Sequence, residues 1–159
     1  MIWVDADSCP NAVRAAIEKN AVRLALPLTY VANHEIVFSD STKALIEQHQ
    51  LNLDMTVTSK QKGSADDYIV TNSAPGDIVI TRDIPLAQRL LQKKVTVIND
   101  RGLKFDEKNI VRMLKDRELS MQLSAIGVNM GRKNDTFGSK ELAAFNECLD
   151  KVLGEEKLI

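Results

Sequence analysis

Asp77-Ile78-Val79-Ile80-Thr81-Arg82-Asp83-Ile84-Pro85-Leu86-Ala87 continues to Lys93 and then into Val95-Thr96-Val97-Ile98. The first apolar run is strand-like, 85–93 is helical by pattern with a proline at its start, and the second apolar run is again strand-like. A strand that re-enters its own sheet through a helix lies parallel to the strand before it, with a right-handed crossover. Moving outward, the alternation repeats. A helix is expected over 65–72, a strand over 53–57 and a helix near Ala44, Leu45 and Ile46, capped by Ser39-Asp40-Ser41. A strand over 24–32, beginning near Pro27, comes before that. A helix opened by Pro10 and an initial strand, Ile2-Trp3-Val4, stand at the front. After Arg101-Gly102 the pattern turns helical: about 106–115, a segment around 119–126, and 139–153, with a polar stretch over 127–138. The expectation is an α/β three-layer sandwich around a central, mostly parallel sheet, forming a single domain over 1–159 with a helical C-terminal part from about residue 104.

Composition agrees with one packed domain. The chain has 159 residues, 44% of them apolar and 27% charged, with only seven glycines and four prolines, which excludes collagen-like, low-complexity and disordered classes. No apolar run approaches the roughly 20 residues of a membrane span. The opening Met1-Ile2-Trp3-Val4-Asp5 lacks a basic flank and meets a carboxylate early, so a cytoplasmic location is expected. Cys9 and Cys148 form no metal or redox motif, and both are expected to be reduced, with Cys9 a small buried hydrophobe. Net charge is −1, yet residues 82–117 carry ten Lys or Arg against five Asp or Glu, which makes a locally basic surface feasible.

The acids fall where such a fold places ligands. In an open parallel sheet, side chains just past the carboxyl ends of the strands share one rim. Asp5 and Asp7 follow the first strand, Asp83 follows the 78–81 run, Asp100 follows the 95–98 run, and Asn33 ends the second strand. Carboxylates gathered at one rim repel unless protons or a cation neutralise them, and hard oxygen donors suit Mg²⁺ or Mn²⁺. Asp66-Asp67 opens a helix that returns toward this rim. On a helical projection Asp66 borders the inner face defined by Ala65, Tyr68 and Ile69, while Asp67 points away, so Asp66 is the preferred ligand of the two. Each acid also has a plain structural reading. Asp66 and Asp67 complement a helix dipole, Asp7 and Asp83 stand before proline-led helices as caps, and Asp100 fits an Asp-Arg-Gly turn. Asp5 makes no sense as a cap.

Several segments together carry a resemblance: Trp3-Val4-Asp5-Ala6-Asp7-Ser8-Cys9-Pro10, Val31-Ala32-Asn33, Ala65-Asp66-Asp67-Tyr68-Ile69, the Gly76 to Ala87 stretch, and Arg101-Gly102. Over essentially its whole length the sequence resembles the YaiI/YqxD family of uncharacterised bacterial proteins. That family is in turn similar to PIN-like domains, metal-dependent nucleases. The resemblance implies a PIN-like fold and carries the acids of the site onto Asp5, Asp66 and Asp83, with Asp7 and Asp100 as further candidates. Where the family commonly has Thr-Gly-Gly-Pro and then Asp-Arg, this chain has Met130-Gly131-Arg132-Lys133 and Glu141-Leu142.

These readings imply phosphodiester hydrolysis dependent on Mg²⁺ or Mn²⁺, with RNA ahead of DNA as substrate. Asp5, Asp66, Asp83 and Asp7 are the expected catalytic and metal-binding acids, with Asp67 and Asp100 as additional metal candidates. Asn33, Arg82 and Arg101 are expected to meet the substrate phosphate, and Lys93, Lys94 and Lys104 to track the backbone. One alternative is a catalytically silent PIN-like module that binds nucleic acid or protein; a homodimer stays open. Another is an aspartate-nucleophile phosphatase suggested by Asp5-x-Asp7, although the acidic pair preceding Thr81 reverses the order that such enzymes keep.

Overall fold

The computed structural model describes residues 1–128 and 137–158. Its framework is a five-stranded, wholly parallel sheet in the order β3-β2-β1-β4-β5, built from β1 (Ile2–Asp5), β2 (Leu28–Ala32), β3 (Leu53–Val57), β4 (Ile78–Ile80) and β5 (Thr96–Ile98). β1 is central: Val4 pairs with Tyr30 on one side and Ile80 on the other. The chain thus winds outward in one direction through β2 and β3, then crosses back to β4 and β5. The carboxyl ends of β1, β2 and β4 meet where the winding reverses, the place at which open α/β sheets form a crevice.

Alternation along each strand separates the two faces. Ile2, Val4, Tyr30, Ile78, Ile80 and Ile98 pack beneath α1 (Asn11–Leu24) and α6 (Ser139–Glu155), with α2 (Asp40–His49) alongside. Trp3, Val31, Val79 and Val97 face the other way, toward α3 (Ser64–Asn72), α4 (Ile84–Gln92) and α5 (Glu107–Ala125). Over β1, β2 and β4 both sheet faces are therefore buried, as an all-parallel sheet requires, while the edge strand β3 stays partly open. Among the described residues no helix is long and apolar enough to cross a membrane.

Local chemistry sets the boundaries. Ser39 caps α2 by accepting from the Thr42 amide, and Asp106 with Asn109 forms a capping box at α5. Three expectations change. Leu24, read as strand, completes α1, which ends when Ala25 enters the left-handed region at φ 51°. Pro10 caps α1 from outside instead of opening it. The two segments at 106–115 and 119–126 are one continuous helix of 19 residues, because Asp116, Arg117 and Glu118 between them contain no breaker. Residues 129–136, including Met130, Gly131, Arg132 and Lys133, lie outside the described residues. The turn after β5 is pinned to α6: Gly102 has φ +85°, and a Cβ there would stand 2.5 Å from the Ala144 carbonyl oxygen.

Candidate functional site

Thr81, immediately after β4 and almost fully buried, joins two of the acids. Its hydroxyl donates to Asp5 Oδ2 at 2.8 Å and accepts from the Asp83 amide at 3.0 Å. Asp5 closes β1 and is 8% exposed. Asp83 is the N-cap of α4, its Oδ1 accepting from the Leu86 amide at 3.0 Å, so the capping reading describes one of its oxygens. Asp66, in the first turn of α3, lies close enough to Asp83 and Asp5 for their charges to act on its carboxyl.

Electrostatics follow from this crowding. Burial pushes the Asp5 carboxyl up to about 6; the charges of Asp7 and Asp83 add to that, and the Thr81 hydroxyl works against it. Asp66 is also pushed up to about 6, by burial first, then by the charges of Asp83 and Asp5 and the hydrogen bond with Asp83, with Arg89 opposing. Two carboxyls raised on one rim identify a functional-site candidate on physical grounds.

A cavity of about 1380 Å³ opens over these groups. Asp5, Asp7, Asp66 and Asp83 form its floor, with Asn33 and Arg82 beside them. Lys60 and Lys62 come from the loop between β3 and α3, and α5 supplies the far wall through Met113, Arg117 and Met121. The cleft is thus acidic at its base and carries Lys60, Lys62, Arg82 and Arg117 among its lining.

Other candidates stand elsewhere. Asp67 points to Arg89, 3.0 Å away, on the outside of α3. Asp100 is buried against Arg82 and is not part of the cavity lining, nor is Arg101. The Lys93 ammonium sits on the carbonyl oxygens of Val70 and Ser73 at the end of α3, and Lys104 pairs with Glu155. Burial pushes the Cys9 thiol up to about 12, which keeps it from acting as a thiolate.

Three contributors escaped the sequence reading. Thr81 had been read only as the end of a strand. His34 places Nδ1 3.2 Å from Asp7 Oδ1 and 3.0 Å from Asn33 Oδ1. The α5 wall had no local signal beyond its amphipathic spacing. The position of Asn33 at the end of β2, one residue before His34 and on the same rim as Asp7, was the available clue to the His34 contact.

Among the described residues, no set of three His, Cys, Asp or Glu side chains stands ready to hold one metal ion. Mg²⁺ usually keeps several waters and takes one or two protein carboxylates together with substrate phosphates, so a complete cage is not what it requires. The neighbouring Asp66, Asp83 and Asp5 carboxyls supply hard oxygens, and a cation there would offset the like charges that raise Asp66. By donor chemistry the floor fits a divalent ion.

Comparison with known proteins places this site in a family. A family model described as "Uncharacterized BCR, YaiI/YqxD family" matches residues 3–155. The chain is similar to the "UPF0178 protein" of Treponema denticola, 41% identical over 154 residues, which is 97% of this chain and 92% of the relative. It is likewise similar to that of Syntrophobacter fumaroxidans, 38% identical over 96% of this chain and 93% of the relative, and to that of Aliivibrio fischeri, 36% identical over 99% of each. No solved structure matches the chain. A match spanning the sheet, the acidic floor and the last helix, together with relatives this similar over nearly their full lengths, makes the chain a member of the YaiI/YqxD family.

Proposed function

We propose that this protein is a divalent-cation-dependent phosphodiesterase acting on nucleic acid, with RNA ahead of DNA. The observation that carries the reading is the pair of raised carboxyls, Asp5 and Asp66, on the floor of one wide cleft that also holds basic side chains. Asp66 and Asp83, assisted by Asp5, would hold Mg²⁺ or Mn²⁺. The bound ion supplies stabilisation of charge on the phosphoryl oxygens and a more acidic water. The chain's own groups do the rest. Thr81 fixes the Asp5 carboxylate and, through the Asp83 amide, the start of α4. His34 restrains Asp7, and Asn33 offers an amide to a phosphate oxygen. Lys60, Lys62 and Arg117 attract the polyanionic backbone in a salt-dependent way. No side chain needs to bond covalently to the substrate, since water attacks phosphorus and the bond to the leaving oxygen breaks.

A second reading, a PIN-like module that binds without turnover, draws on the absence of a three-ligand metal group among the described residues. Incubating end-labelled single-stranded RNA, and DNA of the same sequence, with Mn²⁺, Mg²⁺ or EDTA separates the two. The hydrolase reading expects ion-dependent cleavage that falls at least about 100-fold in Asp5→Asn and Asp66→Asn, a barrier change of ~2.7 kcal/mol. RNA that is bound but uncut, with affinity unchanged in Asp5→Asn, would establish the module instead.

A further inference from the structure

The two edges of the sheet are finished differently. Beyond β5 the chain turns back on itself: Ile98 and Lys104 form an antiparallel bridge, the Asn99 amide donates to the Leu103 carbonyl at 2.9 Å, and the Phe105 amide donates to the Val97 carbonyl at 3.0 Å. That edge is sealed. β3 forms the other edge and pairs with β2 in unbroken register from Leu53 to Val57. The Leu28 amide donates to the Asn52 carbonyl and the Thr58 amide to the Ala32 carbonyl, which fixes the phase of the ladder. The peptide groups of Asp54 and Thr56 turn to β2, and those of Leu53, Met55 and Val57 turn outward. Among the described residues nothing pairs with these outward groups. Edge strands are ordinarily blunted by Lys, Pro, a bulge or a covering segment. Leu53-Asp54-Met55-Thr56-Val57 contains no Lys or Pro, its register has no bulge, and Val57 is 54% exposed.

We propose that the β3 edge is a homodimer interface, in which β3 pairs antiparallel with β3 of a second copy about a two-fold axis at Met55. In that register Leu53 exchanges N–H···O bonds with Val57 of the partner subunit, and Met55 with its own counterpart, so every outward group is paired. A slip of one residue sets outward groups against inward ones and loses the ladder. The side chains match in the same register. Leu53 and Val57, on the sheet face that carries Tyr30, become apolar neighbours across the axis. On the opposite face Asp54 stands against Thr56 of the partner subunit. Among the described residues neither the Asp54 carboxylate nor the Thr56 hydroxyl has a hydrogen-bond partner, so an acceptor meets a donor, and no acid is set directly opposite an acid. The strand is thus its own complement, which makes a second copy the occupant. Because the β5 edge is sealed, pairing at β3 leaves no open edge and the assembly closes at two. Antiparallel pairing also turns the carboxyl ends of the two sheets in opposite directions, so the clefts stay apart and the inference is independent of the hydrolase reading.

Sedimentation velocity on the full chain, from about 1 to about 300 µM, tests it. The wild type is expected to pass from monomer to dimer within this range with no larger species, as a small, strand-built interface gives a transient pair. Thr56→Asp sets an acid against Asp54 of the partner subunit at both ends of the ladder and is expected to weaken the dimer about fivefold or more. Thr56→Lys sets an opposite charge at the same places and should tighten it by about the same factor. Val57→Lys should weaken it about tenfold, with circular dichroism and thermal melting recorded for every variant. A wild type that stays monomeric throughout overturns the proposal. A dimer whose dissociation constant is indifferent to both Thr56 substitutions uses another surface and overturns it equally. If Thr56→Asp does not fold, the sign of the Thr56→Lys effect decides alone: a tighter dimer supports this register, and an unchanged or weaker one refutes it.

Discussion

Replacing Asp5 with Asn should make the protein more stable at neutral pH and less so, relative to wild type, as the medium is acidified. Asp5 has an ordinary carboxyl value of 3.8 and is held at about 6 in the fold, chiefly by burial. Below the unfolded value both states are protonated and the group contributes nothing. Between the two values the folded state keeps a proton that the unfolded state has lost, so stability falls as pH rises, and above about 6 the whole penalty is in force. The shift corresponds to about 3 kcal/mol. That figure is already net of the Thr81 bond, and Asn keeps a neutral oxygen that accepts from the same hydroxyl. The expected gain is about 3 kcal/mol at pH 7, or a rise of about 6–12 °C in Tm for a chain of this size. Urea unfolding of both proteins in EDTA at pH 4, 5, 6 and 7 reads the difference directly. A difference independent of pH, or a variant less stable than wild type at pH 7, would refute the assignment of burial as the dominant cause. Stability surrendered at one carboxylate is the expected mark of a site kept for function.

Other expectations are independent of that one. Mn²⁺ at 100 times its dissociation constant should stabilise the wild type by about 2.7 kcal/mol and leave Asp66→Asn nearly unmoved, as read by thermal melting across a metal titration. Thr81→Val removes the donor to Asp5 and the acceptor of the Asp83 amide together, with an expected loss of about 2–3 kcal/mol at pH 7 in urea unfolding and largely restored stability in Thr81→Ser. Gly102→Ala drives a Cβ into the Ala144 carbonyl at a positive φ and should cost more than about 2 kcal/mol; an unchanged melting curve would show that α6 yields at that point.

What could be read from the sequence was local. Ile2-Trp3-Val4 and Ile78-Val79-Ile80 announce buried parallel strands because both their faces are apolar, and the acids that follow them, Asp5 and Asp83, are then placed by the fold class itself. The 100° step of a helix was enough to put Asp66 and Asp67 on different sides, where they now face the cavity and Arg89 respectively. Contacts between elements were out of reach. No spacing reveals that Asp100 turns to Arg82, that His34 reaches Asp7, or that Lys93 is occupied by the end of α3, because each depends on side-chain direction across a loop. The far wall was missed for a related reason. α5 was read as two pieces, and only an unbroken helix from Glu107 to Ala125 is long enough to overhang the floor.

The Thr81–Asp5 hydrogen bond joins residues 76 positions apart, through a strand pairing that is equally remote. At a synthesis rate of about 5–20 residues per second, β1 spends roughly 4–15 s on the ribosome with its partner β4 still unmade. During that interval Ile2, Trp3 and Val4 have only β2 to pair with, and the acidic floor does not exist. The acidic floor is therefore assembled late, after more than half of the chain has been made, and the same loop closure slows refolding from denaturant relative to a helical protein of equal size.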